Sequence, residues 1–109
     1  MYKLCRVNIE DSEKIYEQLR ELANLLKSKH KVKKVYLYGS FARGDFNEGS
    51  DIDLIIVGEF EGRMPQRIKK IFDLTSLPVE PLVYTEPEFE QMKERTFLKE
   101  VLATAKELS

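Results

Sequence analysis

Cysteine is nearly missing from this 109-residue chain: Cys5 stands alone and excludes an internal disulfide. Histidine is as scarce, and the one copy, His30, follows Lys29 and precedes Lys31, which reads as a solvated helix end and not as a ligand or a catalytic base. There is no basic-then-apolar leader and no run of membrane length; the aliphatic stretch from Leu54 to Val57 is far too short to span a bilayer. A cytoplasmic protein without membrane contact is expected. An excess of one charge sign is missing too, with 18 Lys and Arg against 19 Asp and Glu. That balance gives no global field for gripping extended nucleic acid and excludes the profile of a template-tracking polymerase. Repeats, low-complexity segments and long linkers do not occur. The length allows one domain over 1–109 with a modest core, for which 42% hydrophobic residues is ordinary.

What the chain does have lies between Gly39 and Val57: a Gly-Ser pair, a short connection, then Asp51-Ile52-Asp53 leading into an aliphatic run. Residues two apart on a strand project from one face, so both carboxylates can meet one divalent cation or a pair of them while Ile52 turns into apolar packing. Upstream, Lys33 to Tyr38 reads as a strand. Gly39 can turn tightly, and Ser40-Phe41-Ala42-Arg43 can begin a helix whose free amides face an anion. Glycine lets the backbone approach a phosphate, the Ser40 hydroxyl can donate to it, and Arg43, about one turn on, can add a charge-assisted contact. Arg43 could also simply pair with Asp45 or Glu48. Two motifs of similar spelling fail: a P-loop would need Lys and Ser or Thr where Asp45 and Phe46 stand, and a calcium loop would need glycine at Ser50 and glutamate at Ile56. A lone Gly-Ser or a lone Asp-x-Asp is commonly only a turn; the two together, flanked by strands, point to a metal-dependent nucleotide site.

The remaining segments supply a frame. Met1 to Ile9 is ambiguous and is read as a short extended arm. Asp11 is an N-cap for a helix through about Ser28, with Ile15, Leu19, Leu22, Ala23 and Leu26 on its apolar face. Pro65 opens a second helix that buries Ile68, Ile71, Phe72 and Leu74, with Lys69 and Lys70 on its wet face, and ends before Pro78. Leu77 to Tyr84 looks extended. Thr85 to Glu88 has the form of a capping box and launches a helix carrying Phe89 and Met92. A last helix is expected from Thr96 to about Leu108, with Phe97, Leu98, Val101, Leu102, Ala105 and Leu108 as its stripe. Tyr36, Tyr38 and Tyr84 are expected to be half-buried strand residues, Tyr38 close enough to the Gly-Ser turn to wall a pocket.

Gly39-Ser40, ten intervening residues and Asp51-Ile52-Asp53 match the GSx10DxD pattern of the polymerase-β-like nucleotidyltransferases, and the chain most resembles the minimal nucleotidyltransferase, or MNT, family. The resemblance covers most of the chain. It implies an α/β fold of the α+β type, a small mixed sheet of about three core strands flanked by helices. It also implies a third carboxylate on the last of those strands, here Glu80, where the family more often has aspartate; the longer side chain must fold back to reach the same metal. Asp51, Asp53 and Glu80 are then the catalytic and metal residues, and Gly39, Ser40 and Arg43 the nucleotide-binding ones. For Gly39-Ser40 to meet the two aspartates, the first two strands must be antiparallel. For Glu80 to join them, the second and third must be parallel across a helical crossover, with Pro81 favouring an edge for the third.

The activity implied is nucleotidyl transfer from ATP with two Mg²⁺ ions, AMP passing to a hydroxyl as pyrophosphate leaves. Family members commonly act as antitoxins beside a HEPN-domain ribonuclease toxin and transfer AMP to a tyrosine hydroxyl, so a HEPN partner is the expected acceptor. Two other readings stay open: a non-catalytic module that neutralises a partner by binding, and transfer to a small molecule, although the acceptor-forming second domain of antibiotic-modifying relatives is not seen here. The C-terminal apolar stripe is wider than one sheet face needs, which suggests a homo- or hetero-oligomer.

Overall fold

The protein is described by a computed structural model over residues 12–46 and 49–108. The arm expected at Met1 to Ile9, the Asp11 cap and Glu48 lie outside the described residues. In chain order the elements are α1 (Ser12–Lys29), β1 (Val32–Tyr38), α2 (Ser40–Arg43), β2 (Ile52–Gly58), α3 (Met64–Phe72), β3 (Val79–Thr85), α4 (Glu86–Met92), α5 (Thr96–Thr104) and β4 (Lys106–Glu107).

The strands form one mixed sheet in the order β3-β2-β1-β4. β1 runs antiparallel to β2 and β4, and β2 runs parallel to β3 with α3 as the crossover. Central β2 is buried almost throughout, which explains its unbroken aliphatic run: both faces of the sheet are covered. One face carries Val35, Leu37, Leu54, Ile56, Val79 and Val83 against Leu19, Leu22, Ala23 and Leu26 of α1 and Ile71 of α3. The other carries Ile55, Val57 and Tyr84 against Phe89 of α4 and Leu98 of α5.

The capping box at Thr85 forms: its amide donates to Glu88 Oε1 at 2.9 Å, and the Glu88 amide donates to Thr85 Oγ1 at 3.3 Å. The same carboxylate meets Arg67 of α3, which is only 9% exposed although its helical neighbours Lys69 and Lys70 are solvated. Arg67 Nη1 lies 2.7 Å from Glu88 Oε1 and 3.1 Å from the Val83 carbonyl, and its Nε donates to the Gly62 carbonyl at 3.0 Å. One guanidinium thus ties α3, the β3 edge and the start of α4 together.

β3 is an edge strand, as Pro81 predicts, and its outer side is closed. Backbone groups alternate in direction along a strand, so the outward amides belong to Val79, Val83 and Thr85, with Pro81 having none. Val79 donates to the Leu77 carbonyl, Val83 to Met64 Sδ and Thr85 to Glu88.

Four expectations need correction. The last helix stops at Thr104: Ala105 is extended (φ −70°, ψ 153°), Lys106 and Glu107 pair with Leu37 and Tyr36, and Leu108 is buried beside β1, its amide donating to the Val35 carbonyl at 2.8 Å. Among the described residues the sheet therefore has four strands, because the outer side of β1 offers backbone partners that a longer helix could not use. Phe72 is 51% exposed where burial is predicted, since α3 lies over the edge strand and its C-terminal flank has no strand beneath it. Phe97 is likewise 54% exposed, while Leu98 takes the buried place on α5. Tyr84 is buried outright under Phe89.

Candidate active site

The site begins at Gly39, where β1 ends with φ 75° and ψ −152°, a conformation open essentially to glycine alone. A Cβ built there would fall against the Asp53 carboxylate. Glycine therefore serves both the turn and the close approach of the Asp53 side chain. Gly39→Ala is expected to cost about 1–3 kcal/mol from the backbone conformation and to push Asp53 out of place; urea melts and metal-dependent ATP binding would show both losses.

A four-residue helix cannot hold itself. α2 is pinned through its own Phe41, which is buried and stacks on Phe46 with ring centroids 4.2 Å apart. Tyr16 of α1 closes the cluster, its hydroxyl donating to the Phe41 carbonyl at 2.8 Å. Gly44 ends the turn in the left-handed conformation, its amide and that of Asp45 both donating to the Ser40 carbonyl. The first intrahelical donors are Ala42 and Arg43, both to Gly39, which leaves the Ser40 and Phe41 amides at the mouth of the turn. Tyr16, Phe41 and Phe46 are thus positioning residues that sequence reasoning missed; the two phenylalanines flanking Gly44 were the available signal.

The strand register gathers the acidic residues. Tyr38, Asp53 and Glu80 are direct partners in one row across β1, β2 and β3, and Asp51 precedes β2 on the face that Asp53 occupies. Asp53 is half-buried, while Asp51 and Glu80 are exposed. Burial, then the Asp51 carboxylate, push Asp53 above the ordinary range, with Arg43 pulling the other way. A hydrogen bond with Asp51, reinforced by the charge of Asp51, burial and Asp53, raises Glu80 as well. Tyr38 is pushed up to about 12 by burial, then by Asp53, Tyr84 and Glu80. The expected trio is therefore one electrostatic unit, roofed on one side by Tyr38.

Among the described residues, no three acidic, histidine or cysteine side chains stand drawn together tightly enough to enclose a cation. Asp51 instead lies close enough to Glu80 to raise its affinity for a proton. The donor chemistry still fits a hard dication: three clustered carboxylates, two of them resisting ionisation, gain most from a counter-ion that takes only oxygen ligands. Arg43 does not turn into the site; its Nε donates to Asp45 Oδ2 at 3.1 Å with both side chains exposed. Such a surface pair contributes about 0–1 kcal/mol, so exchanging Asp45 for a phosphate costs little.

A family model for the nucleotidyltransferase domain matches residues 19–104. A Methanocaldococcus jannaschii protein provisionally named a protein adenylyltransferase is 51% identical over 45 residues, 39% of this chain and 45% of the relative, so the chain spans less than half of that protein. Another of the same provisional name and organism is 38% identical over 82 residues, 70% of this chain and 81% of the relative. In a Sulfolobus solfataricus crystal structure provisionally described as a nucleotidyltransferase, the fold matches with a TM-score of 0.62 at 27% identity, covering 79% of this chain and 80% of that one. A crystal structure described as a toxin-antitoxin with AMP-PNP shares the fold, with a TM-score of 0.55 at 17% identity over 86% of this chain and 72% of that one.

Proposed function

This chain belongs to the nucleotidyltransferase domain family, and we propose that it is an adenylyltransferase that moves AMP from ATP onto a tyrosine hydroxyl of a partner HEPN-domain toxin, acting as the antitoxin. The observation that carries the reading is the row of Tyr38, Asp53 and Glu80 across three strands with Gly39 pressed against the Asp53 carboxylate. The provisional names of the archaeal relatives support protein as the acceptor, and the fold shared with the toxin-antitoxin structure supports a toxin as the partner.

In this reading Asp51, Asp53 and Glu80 would hold the Mg²⁺ ions, two in number, and the ions would supply Lewis acidity to offset the charge developing on the attacking and leaving oxygens. The chain's own residues do the rest. The Ser40 hydroxyl and the amides of Ser40 and Phe41 donate to the β and γ phosphates, and Arg43 leaves Asp45 to join them. The Glu80 carboxylate accepts the proton of the attacking hydroxyl.

Incubation of the protein with its toxin, ATP and Mg²⁺ is expected to add one AMP to the toxin chain, read by intact-mass spectrometry. Glu80→Gln should slow that transfer roughly 10²-fold while leaving ATP affinity close to wild type. Neutralisation that persists in Asp51→Asn and Asp53→Asn without any mass gain would instead make the chain a binding module.

A further inference from the structure

Beside Glu80, along the β3 edge, lies a cavity of about 290 Å³ walled by Tyr38, Ile68, Phe72, Pro81 and Leu82, with Glu80 as its one charged lining residue. Among the described residues the large hydrophobic side chains left exposed are Phe72 and Phe97. Both belong to this corner: Phe72 lines the cavity, and Phe97 meets the Tyr38 ring edge-on with centroids 6.4 Å apart. Of the lining residues only Tyr38 belongs to β1; the others belong to α3 and β3, so a group seated there approaches Glu80 from the β3 edge.

We propose that this cavity seats the acceptor side chain and that Phe72, Ile68 and Leu82 select a tyrosine over a serine or threonine. The proposal rests on the transfer reading above and adds to it the surface that recognises the acceptor. The volume is at the lower end of ligand pockets, about 300 Å³, and accommodates an aromatic ring. A serine or threonine carries the hydroxyl but too small an apolar body to displace water from these walls. An anionic acceptor meets repulsion from Asp51, Asp53 and Glu80, whereas a neutral phenol donates its O–H to the Glu80 carboxylate. The phenolic oxygen then bonds to the α-phosphorus as the bond from that phosphorus to the bridging oxygen of pyrophosphate breaks. Its proton passes to Glu80, and pyrophosphate leaves with the electron pair.

The test is an NMR titration of the protein, with Mg²⁺ and a non-hydrolysable ATP analogue present, against N-acetyl-tyrosinamide and, separately, N-acetyl-serinamide. The tyrosine probe is expected to shift signals of Ile68, Phe72 and Leu82, severalfold more weakly in Phe72→Ala, and the serine probe to leave them unmoved. Phe72 is already half exposed, so its variant should keep the fold; Leu82→Ala is the second variant and thermal melts are the control. Equal shifts with both probes, shifts confined to other regions, or loss of analogue binding in Phe72→Ala, which would make the cavity the seat of the adenine base, would each overturn the proposal. The titration needs no turnover. Failure of the transfer reading would therefore show separately, as a protein that binds the tyrosine probe here yet adds no AMP to any acceptor.

Discussion

Asp53→Asn is expected to lower AMP transfer about a thousandfold or more, equivalent to about 4 kcal/mol of barrier, without harming the fold. Asparagine keeps the shape that packs against Gly39 and removes the charge that a dication needs. The stability effect should run the other way from the activity effect. The Asp53 carboxylate is disfavoured by burial and by Asp51, so its affinity for a proton is raised in the folded protein. A carboxyl group raised in this way favours folding when protonated, and that advantage is lost as pH rises through its folded value. Without metal, wild type should therefore fall below Asp53→Asn in melting temperature as pH rises through the upper carboxylate range, and Mg²⁺ should restore wild type alone. Single-turnover transfer and paired melts at several pH values, with and without Mg²⁺, measure both. Transfer within tenfold of wild type would remove Asp53 from the site.

The second large effect is on stability. Arg67→Met should cost about 2 kcal/mol, which for a chain of this size is a fall of roughly 10 °C in melting temperature. Methionine keeps much of the stem volume but leaves the Val83 and Gly62 carbonyls without their donor. The cost falls below that of a fully buried broken pair because the Glu88 side chain is 44% exposed and regains water. The Arg67 hydrogen bond, followed by the Thr85 amide, holds the Glu88 carboxyl down to about 2, from an ordinary value of 4.5. With its affinity for protons lowered, this carboxylate contributes its stability above pH 4.5 and loses it as pH falls toward 2. The gap between wild type and Arg67→Met should therefore be full at neutral pH and narrow in acid. A gap independent of pH would make Arg67 only a packing residue.

The readable parts of this sequence are those set by local demands. The Gly39 turn, the alternation at Asp51 and Asp53, and the Thr85 box each involve residues a few positions apart, and each stands where its spacing puts it. The parallel pairing of β2 and β3 is legible at one remove, because Glu80 can join Asp53 in no other arrangement. What escapes sequence reasoning depends on partners far along the chain. Leu102, Ala105 and Leu108 have a spacing that one helix face satisfies, so nothing local announces the change to β4; the unpaired side of β1 decides it. Arg67 lies two residues before the solvated Lys69-Lys70 pair with nothing local to set it apart, yet the Val83 carbonyl and Glu88 draw it inward. Phe72 has the spacing of a core residue, and only the sheet's ending at β3 leaves it bare.

The closure of β3 also limits how copies of this chain can join. Growth of a stack by strand addition requires two usable edges per molecule, one to receive and one to offer. Here the outward amides of one edge are spent on Leu77, Met64 and Glu88. Among the described residues, two copies that meet through β4 therefore have no second open row of strand amides to extend from, which favours association by strand pairing that ends at two.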